Sequence, residues 1–171
     1  ILGMSSMLLA FSYPLMKRYT YWPQLFLGVT FNYGLILAWT SISESLNPIP
    51  IIFYIGAIFW TLGYDTIYGY QDIKDDEIIG LKSTSIKFKG TAKLFLISCY
   101  LILTFTLILG GYLMDFSILY FVFLIIPITH LFIYQIISFN SKNPDICLKI
   151  FKSNNYFGLI LFLNIFLGKI L

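Results

Sequence analysis

Eight acidic residues occur in the 171-residue chain, and five of them fall between positions 65 and 77: Asp65, Asp72, Asp75, Asp76 and Glu77. Continued as one helix at about 100° per residue, Asp65, Asp72 and Asp76 come within about 40° of one another. Asp72 and Asp76 are four residues apart, so they repel unless a cation lies between them. Hard oxygen donors at this spacing suit Mg²⁺, which takes one or two carboxylates and completes its shell with phosphate and water. A calcium EF-hand loop is excluded, because Lys74 and Glu77 stand where Asp or Asn and then Gly belong. Lys82, Ser83 and Thr84 follow directly. An ammonium and two hydroxyls beside carboxylates suit a metal-bound phosphate. The plainer alternative is a solvated acidic loop. Asp65 argues against it, since an ionised carboxylate inside an apolar run is costly without a partner.

The elements that position these residues are membrane helices. Hydrophobic residues make up 58% and charged residues 11%, against about 45–50% and about 25% in soluble domains. Mean hydropathy is +0.84. Too little polar surface remains to coat a soluble particle, so a soluble globule and a disordered chain are both excluded. Net charge is +3, but the basic residues are dispersed between apolar runs, which argues for a lipid bilayer and against nucleic acid. Cys99 and Cys147 are too few for a disulfide framework. His130, alone in an apolar run after Pro127, reads as structural.

Apolar stretches at 1–16, 22–43, 50–70, 94–114, 116–138 and 153–171 predict about six transmembrane helices in a single all-α transmembrane domain, a helical bundle. Their continuous apolar character excludes an alternating β-barrel. Ten of the 11 basic residues lie in alternate connections: Lys17 and Arg18; Lys74, Lys82, Lys87, Lys89 and Lys93; Lys142, Lys149 and Lys152. The positive-inside rule puts those three connections on one face, cytoplasmic in a bacterial inner membrane or on the matrix side in a mitochondrial one. The chain opens on Ile1, apolar from the start and without a charged leader, and reads as one entered part-way through a helix.

Tyr64-Asp65-Thr66, Tyr68, Asp72, Asp75-Asp76, Gly80 and Lys82-Ser83-Thr84 together resemble the second aspartate-rich motif of the membrane-embedded aromatic prenyltransferases, the UbiA superfamily. The likeness is strongest to the branch that prenylates 4-hydroxybenzoate in ubiquinone biosynthesis, with a prenyltransferase for another aromatic acceptor as the alternative within the family. The stretch from Tyr13-Pro14 through Lys17-Arg18 to Pro23-Gln24, with Gly28 and Phe31-Asn32 beyond it, resembles a helix connection of the same branch. This resemblance implies a nine-helix fold of which the chain supplies the last six helices. It implies an allylic polyprenyl diphosphate held through Mg²⁺ by two aspartate motifs, its cation attacked by the ring of 4-hydroxybenzoate. Asp72 and Asp76 would be metal ligands and catalytic, with Asp65 and Asp75 as outer or alternate ligands. Tyr13, Lys17 and Arg18 would bind the diphosphate or the benzoate carboxylate, Arg18 catalytically, with Lys82 on a phosphate oxygen. Tyr68 and Asn32 would orient the acceptor. The first motif, Asn-Asp-x-x-Asp-x-x-x-Asp, has no counterpart here. The chain is therefore expected to need N-terminal helices or a partner chain that carries it, and otherwise to be an inactive fragment. An ion-coupled transporter segment is the alternative of another class. It would distribute charge near the midplane of several helices, whereas these acids gather at one helix end.

Overall fold

The computed structural model describes residues 2–43 and 47–170, and among them every regular element is helical. The ends of the expected spans 1–16 and 153–171, at Ile1 and Leu171, lie outside the described residues. Among the described residues five helical segments are long and apolar enough to cross a membrane: Pro23–Ile42, Ile49–Tyr68, Ala92–Leu113, Ile118–Ile136 and Pro144–Ile170. Ahead of them α1 (Leu2–Ser12) is shorter, because Pro14 turns the chain into a single 3₁₀ turn, Tyr13–Leu15. A four-residue helix α2 (Met16–Tyr19) then carries Lys17 and Arg18. The expected first span 1–16 is therefore made of α1, the 3₁₀ turn and the start of α2.

Proline and asparagine set the helix starts. Pro23 opens α3 (Pro23–Ile42). Asn47 Oδ1 accepts the Ile49 N–H at 3.0 Å ahead of α4 (Ile49–Tyr68), whose first turn holds Pro50. Each proline spends its missing N–H where the helix could not use it. Two short helices, α5 (Ile73–Ile79) and α6 (Thr84–Lys87), precede α7 (Ala92–Leu113). The fourth crossing is irregular: α8 (Ile118–Phe123) and α9 (Ile125–Thr129) run into a π-helical stretch, His130–Ile136. Pro127 lies in this region, where it lacks the N–H the helical ladder needs. The last helix, α10 (Pro144–Ile170), begins nine residues before the expected 153. Asn143 caps it, with Oδ1 accepting the Ile146 N–H at 3.2 Å. Asn154, which reads as a span-end residue, is instead a buried hub: its Oδ1 accepts from Trp60 Nε1 at 2.8 Å and from Gln135 Nε2 at 3.0 Å. Gln135 in turn accepts the Tyr100 hydroxyl at 2.5 Å.

Helix α4 packs against α3, α7 and α10. Its seam with α3 is closed by Asn32, whose Nδ2 donates to the Gly28 carbonyl at 2.8 Å, the Ala57 carbonyl at 3.1 Å and Thr61 Oγ1 at 2.8 Å. At one end the Lys82 N–H donates to the Lys17 carbonyl at 2.8 Å, and a cleft brings Lys74 and Lys142 to its walls. The three basic connections thus meet on one face. At the other end the Ser117 N–H donates to the Gly168 carbonyl at 3.1 Å.

Two outcomes follow from this arrangement. Cysteines introduced at positions 80 and 142 will be labelled by an impermeant reagent from the same side of the membrane, and one at 115 from the other. Cys99 and Cys147 are buried and stay silent. Asn32→Ala will lower unfolding stability in mild detergent by about 1–2 kcal/mol, the range for polar contacts between membrane helices, because it opens the α3–α4 seam.

Candidate functional site

The carboxylates are placed by a helix break. Helix α4 ends at Tyr68, and the Gly69 N–H caps it by donating to the Asp65 carbonyl at 2.9 Å. At Gly69 a Cβ would run into the Ser85 hydroxyl, so only glycine lets α6 approach this closely. The chain then turns tightly, the Tyr70 N–H to the Ile67 carbonyl at 3.2 Å and the Gln71 N–H to the Tyr68 carbonyl at 2.9 Å. Asp72 occupies the N-cap position of α5, and Asp75 and Asp76 its first turn, where a helix dipole favours negative charge. Gly80 ends α5 with φ of +79°, a left-handed geometry that suits glycine. The acids therefore do not share one continuous helix, as the spacing implied. The break brings three of them together regardless.

A cavity of about 270 Å³ is lined by Tyr13, Lys17, Asp65, Tyr68, Asp72 and Asp76, with Gln24 and Pro14 among its other walls. Six of the residues expected at the site thus surround one space. Asp76 is buried at 7% exposure and its Oδ2 stands 3.9 Å from Lys17 Nζ. That separation is an ion pair without a hydrogen bond, so the lysine can turn to another anion. Tyr68 is exposed on one side and lays its ring 4.6 Å from that of Phe151. Just beyond α4, burial, and after it the nearby Cys147 thiol, pushes the Tyr70 phenol up to about 12, which keeps it a neutral hydroxyl.

The other expected residues stand apart from this cavity. Arg18 and Asp75 are exposed and do not line it. Lys82 turns its ammonium to the Tyr19 carbonyl at 3.3 Å and over the Tyr21 ring at 5.7 Å. Ser83, Thr84 and Ser85 are fully buried and structural: Thr84 Oγ1 meets Thr66 Oγ1 at 2.6 Å, and Ser85 donates to the Thr66 carbonyl at 2.7 Å. Asn32 belongs to the α3–α4 seam and lines a different, apolar cavity. Gln24, to which the sequence assigned no role, is buried with Oε1 accepting the Thr84 N–H at 3.0 Å. It fixes α6 against α3 while lining the carboxylate cavity. An amide in the first turn of an apolar helix was the signal for it.

The carboxylate cavity adjoins more apolar space. Asp65 and Leu27 also line a second cavity of about 530 Å³, with Trp60, Tyr64 and Asn154. Trp60 in turn lines a third, of about 640 Å³, walled chiefly by aliphatic and aromatic side chains. From Tyr68 to Phe53, α4 therefore borders all three over about 22 Å of helix. Among the described residues no group of three or more His, Cys, Asp or Glu converges on a single metal position. The donor set offers Mg²⁺ one or two carboxylates and leaves the rest of its shell to ligand oxygens and water, which is how that ion is ordinarily bound.

The chain is 43% identical over 170 residues to the 4-hydroxybenzoate polyprenyltransferase, mitochondrial, of Bos taurus, covering 99% of this chain and 46% of that protein. It is 41% identical over 170 residues to the protein of the same name in Arabidopsis thaliana, covering 99% and 42%. To 4-hydroxybenzoate geranyltransferase 2 of Lithospermum erythrorhizon it is 42% identical over 161 residues, covering 94% and 52%. The chain thus spans about half the length of the curated relatives it matches. No solved structure matches it. A match to the family profile runs from residue 1 to 166, across the carboxylate cavity and all five crossing helices, and the chain belongs to the UbiA prenyltransferase family.

Proposed function

We propose that the protein transfers a prenyl group from a polyprenyl diphosphate to the ring of 4-hydroxybenzoate in ubiquinone synthesis, with Mg²⁺ as cofactor. One observation carries the reading: three carboxylates and a lysine surround a small cavity that adjoins, at Asp65 and Leu27, a more apolar cavity along α4. A ligand with an anionic head and a long apolar tail matches that sequence of cavities. The names of the relatives support 4-hydroxybenzoate as the acceptor and a mitochondrial location; in an inner membrane the basic connections would then put the carboxylate cavity on the matrix side.

In this reading Asp72 and Asp76 hold Mg²⁺, which when bound neutralises the departing diphosphate. Lys17, loosely paired with Asp76, turns to a phosphate oxygen. Tyr13 and Tyr68 line the space where head and acceptor meet, and the electron-rich ring faces shelter developing positive charge. The allylic C–O bond breaks, a C–C bond forms at the ring carbon ortho to the hydroxyl, and that carbon loses a proton. Asp65, the one carboxylate shared by the polar and the neighbouring cavity, takes that proton. A diphosphate carries about three negative charges and Asp72 and Asp76 add two more, whereas one lysine and one Mg²⁺ offset only about three, and an uncompensated charge near an apolar pocket is costly. The remaining compensation comes from a second acidic motif, with its own metal ion, outside residues 1–171.

In membranes where a polypeptide bearing the second acidic motif is also supplied, Asp76→Asn and Asp72→Ala will each lower kcat/KM for prenyl transfer by at least about 100-fold, about 2.7 kcal/mol of transition-state stabilisation. Wild-type turnover in either variant would return the cluster to a solvated loop. Chelation with EDTA will abolish transfer and Mg²⁺ will restore it. Residues 1–171 purified alone will show no transfer above background until a polypeptide bearing an aspartate-rich helix end is supplied, as read by radiolabelled product.

A further inference from the structure

Helix α5 has a second face. Its Asp72 and Asp76 border the carboxylate cavity, while Ile73 and Lys74 border a separate cleft of about 550 Å³. Tyr70, Gln71, Lys89 and Lys142 line that cleft too, together with Ser141. Two of these residues carry buried donors without partners among the described residues: the Tyr70 hydroxyl and Gln71 Nε2. Tyr70 is 2% exposed. A buried donor left without an acceptor is costly and uncommon in a native fold. Here two of them accompany three lysines. Lys89 is engaged with Glu77 at 2.8 Å, but Lys74 and Lys142 have no ion pair among the described residues.

The cleft does not end there. Through Lys89 and Ser141 it adjoins a groove of about 800 Å³ at the start of α7, which adds Lys93 and the residues of the first helical turn. Leu94 and Ile137 also line that groove, and they are 66% and 68% exposed, so its outer wall faces hydrocarbon. No carboxylate lines either space. Unpaired donors, lysines and the N-terminal end of a 22-residue helix all call for an anion, and the apolar wall beside them calls for an acyl chain.

We propose that this cleft is a binding site for the phosphate headgroup of an anionic membrane phospholipid, seated behind the helix that carries Asp76. The headgroup phosphate accepts from the Tyr70 hydroxyl and the Gln71 amide and pairs with Lys74 and Lys142. One acyl chain follows the groove past Leu94 and Ile137. An occupied site buttresses α5 from the side opposite its carboxylates. The site is independent of which reaction those carboxylates serve.

The test uses the protein in nanodiscs of phosphatidylcholine mixed with phosphatidylglycerol, with retained lipid counted by native mass spectrometry after transfer to detergent. Wild-type protein will retain phosphatidylglycerol over phosphatidylcholine by about tenfold or more, equivalent to about 1.4 kcal/mol. Tyr70→Phe and Lys142→Gln will each reduce that preference about tenfold. Lys87→Gln, which removes a lysine that lies over the Trp22 ring at 4.3 Å instead of in the cleft, will leave it unchanged. Because the Tyr70 hydroxyl has no partner to lose, Tyr70→Phe will keep the wild-type unfolding midpoint in lipid-free detergent. Equal retention of the two lipids, or an equal loss in Lys87→Gln, would overturn the site. Displacement of phosphatidylglycerol by inorganic phosphate at matched concentration would assign the cleft to a soluble anion and overturn the lipid.

Discussion

In a hydrocarbon slab an amide, an indole N–H or a hydroxyl must find its partner within the protein, since no water is there to supply one. Helix α4 meets that constraint on several sides at once. Thr61 receives Asn32 from α3, Trp60 gives its N–H to Asn154 of α10, and Thr66 meets Thr84 of α6. The Trp60 bond is one end of a relay that passes through Asn154 and Gln135 to Tyr100, so α7 and the π-helical stretch join it. Packing among lipid-facing helices has little hydrophobic drive of its own. These directed contacts select one arrangement of the bundle around α4.

The site inherits its geometry from that arrangement. With α4 held on its neighbours, its end at Tyr68 is fixed, and the turn through Gly69 sets where α5 begins. Gln24 and Ser85 hold α6 close behind the turn. Of the two hydroxyls that by composition resemble phosphate donors, Thr84 Oγ1 is engaged with Thr66 Oγ1 and Ser83 Oγ accepts the Ile86 N–H of its own helix. The basic connection from α2 is drawn in by the bond between the Lys82 N–H and the Lys17 carbonyl. Lys17 thereby reaches Asp76, while Arg18 next to it remains exposed.

The same helix serves two environments. One side of α5 meets the carboxylate cavity, which adjoins more apolar space along α4, and the other meets a cleft rich in lysine. Seven residues form a helix too short to be stable alone. Its position therefore depends on what packs at both faces, and an acid-bearing element of this kind responds to either side.

Much of this was open to a reader of the sequence. Sustained apolar runs, with basic residues in alternate connections, determined membrane helices and which connections share a face, because both follow from transfer energies that act locally. The acid-rich stretch after the third apolar run, with the Tyr-Pro and Lys-Arg pairs before the second, determined the family and most of the cavity wall. Composition could not show that the helix breaks at Gly69, since the helical register of Asp65, Asp72 and Asp76 looks the same whether or not the chain turns between them. Nor could it separate Lys17 from Arg18, Thr84 from a phosphate donor, or Asn154 from a span end. Each of those depends on which distant backbone or side-chain group lies within about 3 Å, and only the packing of α4 against its neighbours decides that.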